Sequence, residues 1–231
     1  GETSMRYYDR PHVFAAGIEG RIFAALGKTI PAGFEPPRLP NDSPAPVAAV
    51  DSTSYFTTKP GHYVQLVAAE PQVVDPVAID FGLDGRIWVA EMNDYPAGRE
   101  GDYQPGGRIK FLEDKNGDGF YESATTFLDH IPFPTGVTAW GDGILVCAAP
   151  DILYAVDSNQ DGTADQVKKL FTGFVTDNYQ ARVNSIELGL DNWLYGSGGL
   201  RGGSIVDLAA PSVKPVTLSS RDFRFSPDLK S

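Results

Sequence analysis

Three stretches of this chain share one plan: PVAIDFGLDGRIWVAEM (76–92), TGVTAWGDGILVCAAP (135–150) and RVNSIELGLDNWLYGSGG (182–199). In each, a run with strand character meets a turn built on Asp. A second run of aromatic and aliphatic residues follows and ends in small ones. The starts lie roughly fifty residues apart, near the length of a β-propeller blade. After the first two repeats come GRIKFLEDKNGDG and DILYAVDSNQDG, each a third strand running into a polar nonapeptide. A fourth strand follows, ATTFLDH or VKKLFTGF. Four antiparallel strands per repeat make a propeller blade.

The third repeat reaches its third strand, RDFRFSPD, and the chain then stops. Closed propellers have roughly four to eight blades, so an incomplete propeller is expected here. Its completion then falls to the remainder of a longer polypeptide or to another chain. YVQLVAAE (63–70) is a further strand candidate, and no stretch beyond residue 60 sustains a helical period. The fold class expected is all-β, with propeller blades over 61–231. Residues 1–60 differ: Pro31, Pro36, Pro37, Pro40, Pro44, Pro46 and Pro60 surround one apolar island, GRIFAALGKTI. That composition predicts an extended linker or N-terminal arm. Because the chain begins with Gly1, either a signal was removed or the chain is cut from something longer.

The nonapeptides DKNGDGFYE (114–122) and DSNQDGTAD (157–165) occupy the same place in two repeats. Asp114, Asn116, Asp118 and Glu122 alternate with small or featureless residues, as do Asp157, Asn159, Asp161 and Asp165. Gly119 and Gly162 allow a sharp turn. Calcium takes six to eight hard oxygen ligands in flexible geometry, and such loops supply most of them. They are not EF-hands, because position 12 holds Thr125 or Lys168 and strands flank them. A polar hairpin turn is the plainer alternative. Against it, two carboxylates ~4 Å apart repel by roughly 4 kcal/mol at an effective dielectric of 20, which a mere turn would avoid.

Net charge bounds the partners. With 19 basic against 30 acidic residues the chain carries −11, which argues against nucleic acid or an anionic membrane surface. No apolar run approaches the ~18 residues of a membrane span. The lone Cys147 sits in the apolar run GILVCAAP and reads as a buried, inert strand residue.

These motifs, in this order over about residues 60–228, resemble the N-terminal propeller domain of the membrane-bound dehydrogenases of planctomycetes and verrucomicrobia. That family is similar to soluble quinoprotein glucose dehydrogenases. The resemblance implies oxidation of a sugar or alcohol outside the cytoplasm, with Ca2+ and pyrroloquinoline quinone as the cofactors to test for. It also implies a c-type haem domain elsewhere as electron acceptor. A calcium-stabilised propeller used for binding or assembly, with no chemistry of its own, is the alternative.

Ligands of propellers sit over the central channel, on loops leaving the innermost strands. EMNDYP after RIWVA places Glu91, Asn93, Asp94 and Tyr95 near such a mouth, and NYQARVNS places Gln180, Arg182 and Asn184 at a comparable one. An alcohol oxidation needs a base, and an Arg or Lys to polarise the quinone. Arg182, Asn93 and Asn184 are the candidate cofactor contacts, and Glu91 and Asp94 the candidate bases. His12, His62 and His130 lie in the arm, at the first strand candidate and in a turn. At Ala181 the chain departs from the family pattern, which often places His beside Gln.

Overall fold

The first repeat folds as the hairpins its turn residues call for. In the computed structural model, which describes residues 47–98 and 101–229, strands β1 (Pro76–Phe81), β2 (Ile87–Glu91), β3 (Gly107–Glu113) and β4 (Ser123–Ile131) pair in chain order. The β1–β2 turn closes with the Gly82 N–H donating to Arg86 O at 2.9 Å. Gly85 (φ +83°) supplies the left-handed residue such a turn requires.

The second blade holds β5 (Gly136–Trp140), β6 (Gly143–Ala148), β7 (Asp151–Val156) and β8 (Gln166–Phe174). The third holds β9 (Asn184–Leu188) and β10 (Leu194–Ser197). Two further strands, β11 (Gly203–Asp207) and β12 (Val216–Leu218), do not belong to that third blade. They add to the outer edge of the second, giving the order β12-β11-β8-β7-β6-β5. Four strands were expected there and six are found. The short runs GSIVD and VTL flank LAAPSVKP, whose Pro, Ala and Ser read as a loop. Gly173 (φ +103°) permits the attachment, because a Cβ there would stand 2.1 Å from Ser204 O. After this excursion β13 (Asp222–Phe225) returns to pair with β10, as RDFRFSPD predicted.

Alternation along the strands gives each blade two faces, and each face between blades is apolar. Trp88, Ala90, Ile109 and Phe111 of the first blade pack against Val137, Ile144, Val146 and Leu153 of the second. The Trp88 ring meets Phe127 edge-on at 4.8 Å and Phe111 at 5.4 Å. Leu145, Cys147 and Ile152 face Ile186, Leu194 and Phe225 across the next boundary. Each fully buried Leu, Ile, Val or Phe contributes about 1.5–3 kcal/mol, so these two clusters dominate the stability. Polar links stitch the first strands of the blades together. Ala139 N–H donates to Asp80 Oδ2 at 2.7 Å, and Thr138 Oγ1 donates to Ile186 O at 2.7 Å.

YVQLVAAE, expected as a strand, is not one. Residues 62–69 run as irregular backbone, and Ala68 and Val73 lie on the outer apolar face of the first blade, against Ile87, Val89 and Leu112. The segment crosses the face of the sheet rather than joining its edge. Its backbone therefore finds isolated partners, such as Tyr121 N–H to Val67 O at 2.7 Å, instead of a ladder.

The unit spanning residues 49–231 holds every strand named above; of the unit before it, 1–48, only residues 47 and 48 are described. The expected arm, with its apolar island and His12, falls largely outside the described residues. Its described end carries a short helical turn, α1 (Ala49–Ser52), continued as a 3₁₀ turn over Thr53–Tyr55. Among the described residues no helix is long and apolar enough to cross a membrane.

Candidate functional site

Strand register sorts the motifs onto two ends of the blades. Glu91 pairs with Arg108 and Gly107 with Ile131, so loops 92–106 and 132–135 share one end. Ala148 pairs with Asp151 at the same end of the second blade, from which residues 175–183 lead to β9. Glu113 pairs with Ser123, and Val156 with Gln166, which puts both nonapeptides at the opposite end. The acidic hairpins and the EMNDYP residues are therefore separate features.

The inner strands are β1, β5 and β9, and together they line a groove of about 250 Å³ that includes Thr135, Thr138 and Asn184. Glu91 was expected on a loop leaving an innermost strand. It instead ends the second strand of its blade, and the loop that follows joins β2 to β3. Glu91 is fully buried. Its Oε1 accepts the Val74 N–H at 2.8 Å and pairs with Lys110 Nζ at 2.9 Å. Lys110 also donates to Gln72 O at 3.0 Å, so the pair clamps the irregular segment onto the blade.

Asp94 is also fully buried. Its Oδ2 accepts the N–H groups of Gly106 at 3.0 Å and Phe133 at 2.9 Å, tying loop 92–106 to the end of β4. Arg182 is 5% exposed. It donates to Thr176 O, and its guanidinium carbon lies 4.2 Å from the Tyr179 ring and 5.2 Å from the Phe133 ring. Burial pulls the Arg182 pKa below its ordinary value, while Tyr179, Asp94 and Asp177 oppose the shift. A short 3₁₀ turn, Tyr179–Ala181, positions this group, its entry capped by Asn178 Oδ1 accepting the Gln180 N–H at 3.0 Å. Gly199 (φ +72°) lets the third blade close against it, since a Cβ there would fall 2.1 Å from Ala181 O.

Four buried side-chain atoms lack a hydrogen-bond partner among the described residues: Glu91 Oε2, Asn93 Oδ1, Asp94 Oδ1 and Arg182 Nε. All four belong to residues singled out from the sequence. The structure brings Asp94 and Arg182 together through Phe133. It leaves Glu91 with Lys110, and Asn184 on the groove side. Tyr95 caps the group at its edge, 5.9 Å from Tyr179 with the rings at 90°. Sequence reasoning missed Lys110, Phe133 and Tyr179. A lone Lys inside the run RIKFL was a usable signal, and Tyr179, three residues before Arg182 in NYQARVNS, was a local neighbour that the polar pattern passed over; Phe133 gave none, because it lies 39 residues from Asp94 in sequence. The histidines stand elsewhere. His130 is exposed, with Nδ1 3.6 Å from Asp129, and His62 sits in an exposed turn with Nδ1 3.3 Å from Pro60 O.

The two nonapeptides adopt one hydrogen-bond pattern. Asp114 Oδ2 accepts from Gly119 N–H at 2.8 Å, as Asp157 Oδ2 does from Gly162. Asn116 and Asn159 each accept from the residue two on, at 2.9 Å. Asp118 and Asp161 do the same at 2.8 Å. Glu122 Oε1 accepts the Lys115 N–H at 3.1 Å, and Asp165 Oδ1 the Ser158 N–H at 3.0 Å. Among the described residues, no three His, Cys, Asp or Glu side chains stand in a group able to hold a metal ion.

A family model, described as a domain of unknown function and designated DUF7133, matches residues 48–231. The chain belongs to the DUF7133 family. No curated protein matches it. Among solved structures, this DUF7133 chain is similar to a Thermus thermophilus protein described as a predicted oxidoreductase (glucose dehydrogenase). The TM-score is 0.37 at 14% identity, covering 55% of this chain and 39% of that one. It is also similar to a catalytically inactive virginiamycin B lyase from Staphylococcus aureus, solved with quinupristin. There the TM-score is 0.34 at 19% identity, covering 65% of this chain and 41% of that one. The chain thus spans about two fifths of the length of each.

Proposed function

We propose that this DUF7133 chain is a calcium-stabilised β-propeller part of a quinoprotein-like dehydrogenase that oxidises a sugar or alcohol outside the cytoplasm. The resemblance to the membrane-bound dehydrogenases supplies the reaction class. The structural observation that supports it is the set of buried, unpartnered polar atoms on Asn93, Asp94 and Arg182 at one end of the blades. In this reading Arg182 answers developing negative charge. Asp94, which keeps one free oxygen, takes the role of base, because Glu91 is committed to Lys110. Asn93 and Asn184 supply polar contacts. Electrons pass to a partner such as a c-type haem domain.

The cofactors fit unequally. Calcium suits the oxygen chemistry of both hairpins; their carboxylates are turned to backbone N–H groups in this structure, so a bound ion would require them to turn to a common centre, and millimolar calcium outside the cell would fill even weak sites. Pyrroloquinoline quinone is a planar tricarboxylate and needs several cations. Of the buried cations, Lys110 is committed to Glu91 and leaves Arg182, and the groove beside Asn184 is lined by Thr135, Thr138 and Glu187. The described residues therefore do not build a quinone site by themselves.

The test uses the full polypeptide carrying this chain, with calcium, added quinone and an artificial electron acceptor. Arg182→Ala is expected to cost about 10²–10³-fold in rate, as loss of a contact to developing charge does. A melting curve shows whether the variant is folded. If the wild type neither retains quinone nor reduces dye with any sugar or alcohol, the binding or assembly reading replaces this one. Two observations favour that second reading. Asp94 and Glu91 already serve structural hydrogen bonds, and Val77, Ile79 and Phe81 of β1 are 49–62% exposed on one strand face.

A further inference from the structure

Both blade boundaries follow one rule of register. Asp80 of β1 stands opposite Trp88 of β2, and Thr138 of β5 stands opposite Leu145 of β6. Each of these inner-strand side chains reaches forward to the backbone of the next inner strand. Asp80 Oδ2 accepts the Ala139 N–H at 2.7 Å, and Thr138 Oγ1 donates to Ile186 O at 2.7 Å. The third blade carries Glu187 at the same position, opposite Tyr195 of β10. Glu187 is exposed, and its carboxylate has no partner among the described residues. The residues opposite differ in the same way. Trp88 and Leu145 are buried at the boundary with the following blade, whereas Tyr195 is 38% exposed. The third blade thus repeats the forward-facing half of a boundary on a face that no described residue covers.

We propose that Glu187 fastens a further propeller blade, whose inner strand lies beside β9 as β9 lies beside β5. An ionised carboxylate only accepts, so Glu187 takes a backbone N–H of that strand, as Asp80 takes Ala139. A second copy of this chain does not supply it. Phe81 holds in β1 the register that Ala139 holds in β5, since Phe81 pairs with Ile87 and Ala139 with Ile144. The Phe81 N–H is already donated to Asp80 Oδ1 at 2.8 Å. The partner blade keeps the matching N–H free. Its face also covers Tyr195 and meets Arg224, which pairs with Tyr195 across β10 and β13 and is held by Asp191 at 3.1 Å. That face is therefore part polar, unlike the apolar boundaries of the first two blades. One hydrogen bond on a part-polar face gives little affinity between separate chains, so the blade is tethered in the same polypeptide. The site continues the series of two boundaries already present. It does not depend on the dehydrogenase reading, and a chain without that activity keeps it.

The experiment is residue-resolved hydrogen exchange on the full polypeptide carrying this chain, joined to its structure. Asp80→Ala removes an observed link and sets the scale. It should speed exchange of the Ala139 N–H by at least about tenfold, as loss of a hydrogen bond to a charged group does. Glu187→Ala should speed one amide of the strand beside β9 by a similar factor and leave Ala139 unchanged. Glu187→Gln keeps an acceptor oxygen at the same reach and should restore most of the protection. The wild-type structure should show the Glu187 carboxylate on a backbone N–H of that strand. The proposal is overturned if no inner strand lies beside β9, or if a second copy of the chain lies there. It is equally overturned if Glu187→Ala leaves every amide of the adjoining strand at its wild-type rate. If Asp80→Ala does not fold, the wild-type structure and the two Glu187 variants still decide.

Discussion

Lys110 Nζ lies 2.9 Å from Glu91 Oε1 with 10% and 0% of the two side chains exposed, a pair more deeply buried than the ion pair of Lys169 with Asp151. Its members come from neighbouring strands of the first blade, and through Gln72 O and Val74 N–H they fasten residues 72–74 to the sheet.

Removing one partner of such a pair strands a buried charge. Lys110→Met or Glu91→Leu alone should therefore lower stability by about 3–5 kcal/mol, whereas the double replacement should recover most of the loss. Urea unfolding of the four proteins measures the cycle. Hydrogen exchange across residues 65–75 should rise in the single variants first. Equal losses that simply add would show that the pair is not coupled.

The blades were legible because their signal is local. Asp-Gly turns and alternating apolar residues fix each hairpin within a dozen residues, and TGVTAWGDGILV folds as that pattern reads. What stayed hidden depends on long-range placement. YVQLVAAE has strand composition, yet Ala68 packs on Ile87 and Val89 instead of entering a ladder. VTL pairs with β11 on an edge that no local pattern marks as open. In the candidate site the polar residues stood out in sequence as exceptions within apolar surroundings. Their partners Phe133 and Tyr179 did not, since aromatics between strands look like ordinary core.

Cys147 should be unreactive in the folded protein. It is 1% exposed, and burial pushes its thiol pKa up to about 12, so thiolate is scarce at pH 8. A thiol-specific disulfide reagent should label the native chain at least a hundredfold more slowly than the urea-unfolded chain. Labelling at the unfolded rate would place Cys147 outside the core between the second and third blades.

Two glycines with nearly the same backbone angle should respond differently to alanine. Gly199 (φ +72°) has Ala181 O 2.1 Å from where its Cβ would be, whereas Gly117 (φ +76°) has nothing within 4 Å. Gly117→Ala meets only the left-handed backbone penalty, about 1–2 kcal/mol. Gly199→Ala adds a backbone clash beside Arg182, and its cost should exceed that of Gly117→Ala by at least about 1 kcal/mol. Denaturant midpoints of the two variants test the order, and equal midpoints would contradict the close approach.

The acidic hairpins carry a prediction about pH and one about calcium. The Gly119 N–H, followed by those of Gly117, Asp118 and Asn116, holds the Asp114 pKa below its ordinary 3.8. The Ser158 hydroxyl, then its N–H, does the same for Asp165. A carboxyl whose folded pKa is depressed adds stability that is complete above its unfolded value. That stability is lost as pH falls through the folded one. Carboxyl-carbon NMR should therefore place both midpoints below 3.8, and midpoints at or above it would refute the turn geometry. On the proposed calcium-stabilised reading the ionised carboxylates are the ligands, so at neutral pH millimolar calcium should raise the melting temperature, and excess EDTA should reverse the rise. Asp118→Asn and Asp161→Asn should each remove about half of that increment, because each alters one of two equivalent hairpins. An unchanged melting temperature in calcium and in EDTA, with no metal found by elemental analysis, would leave the hairpins as plain turns.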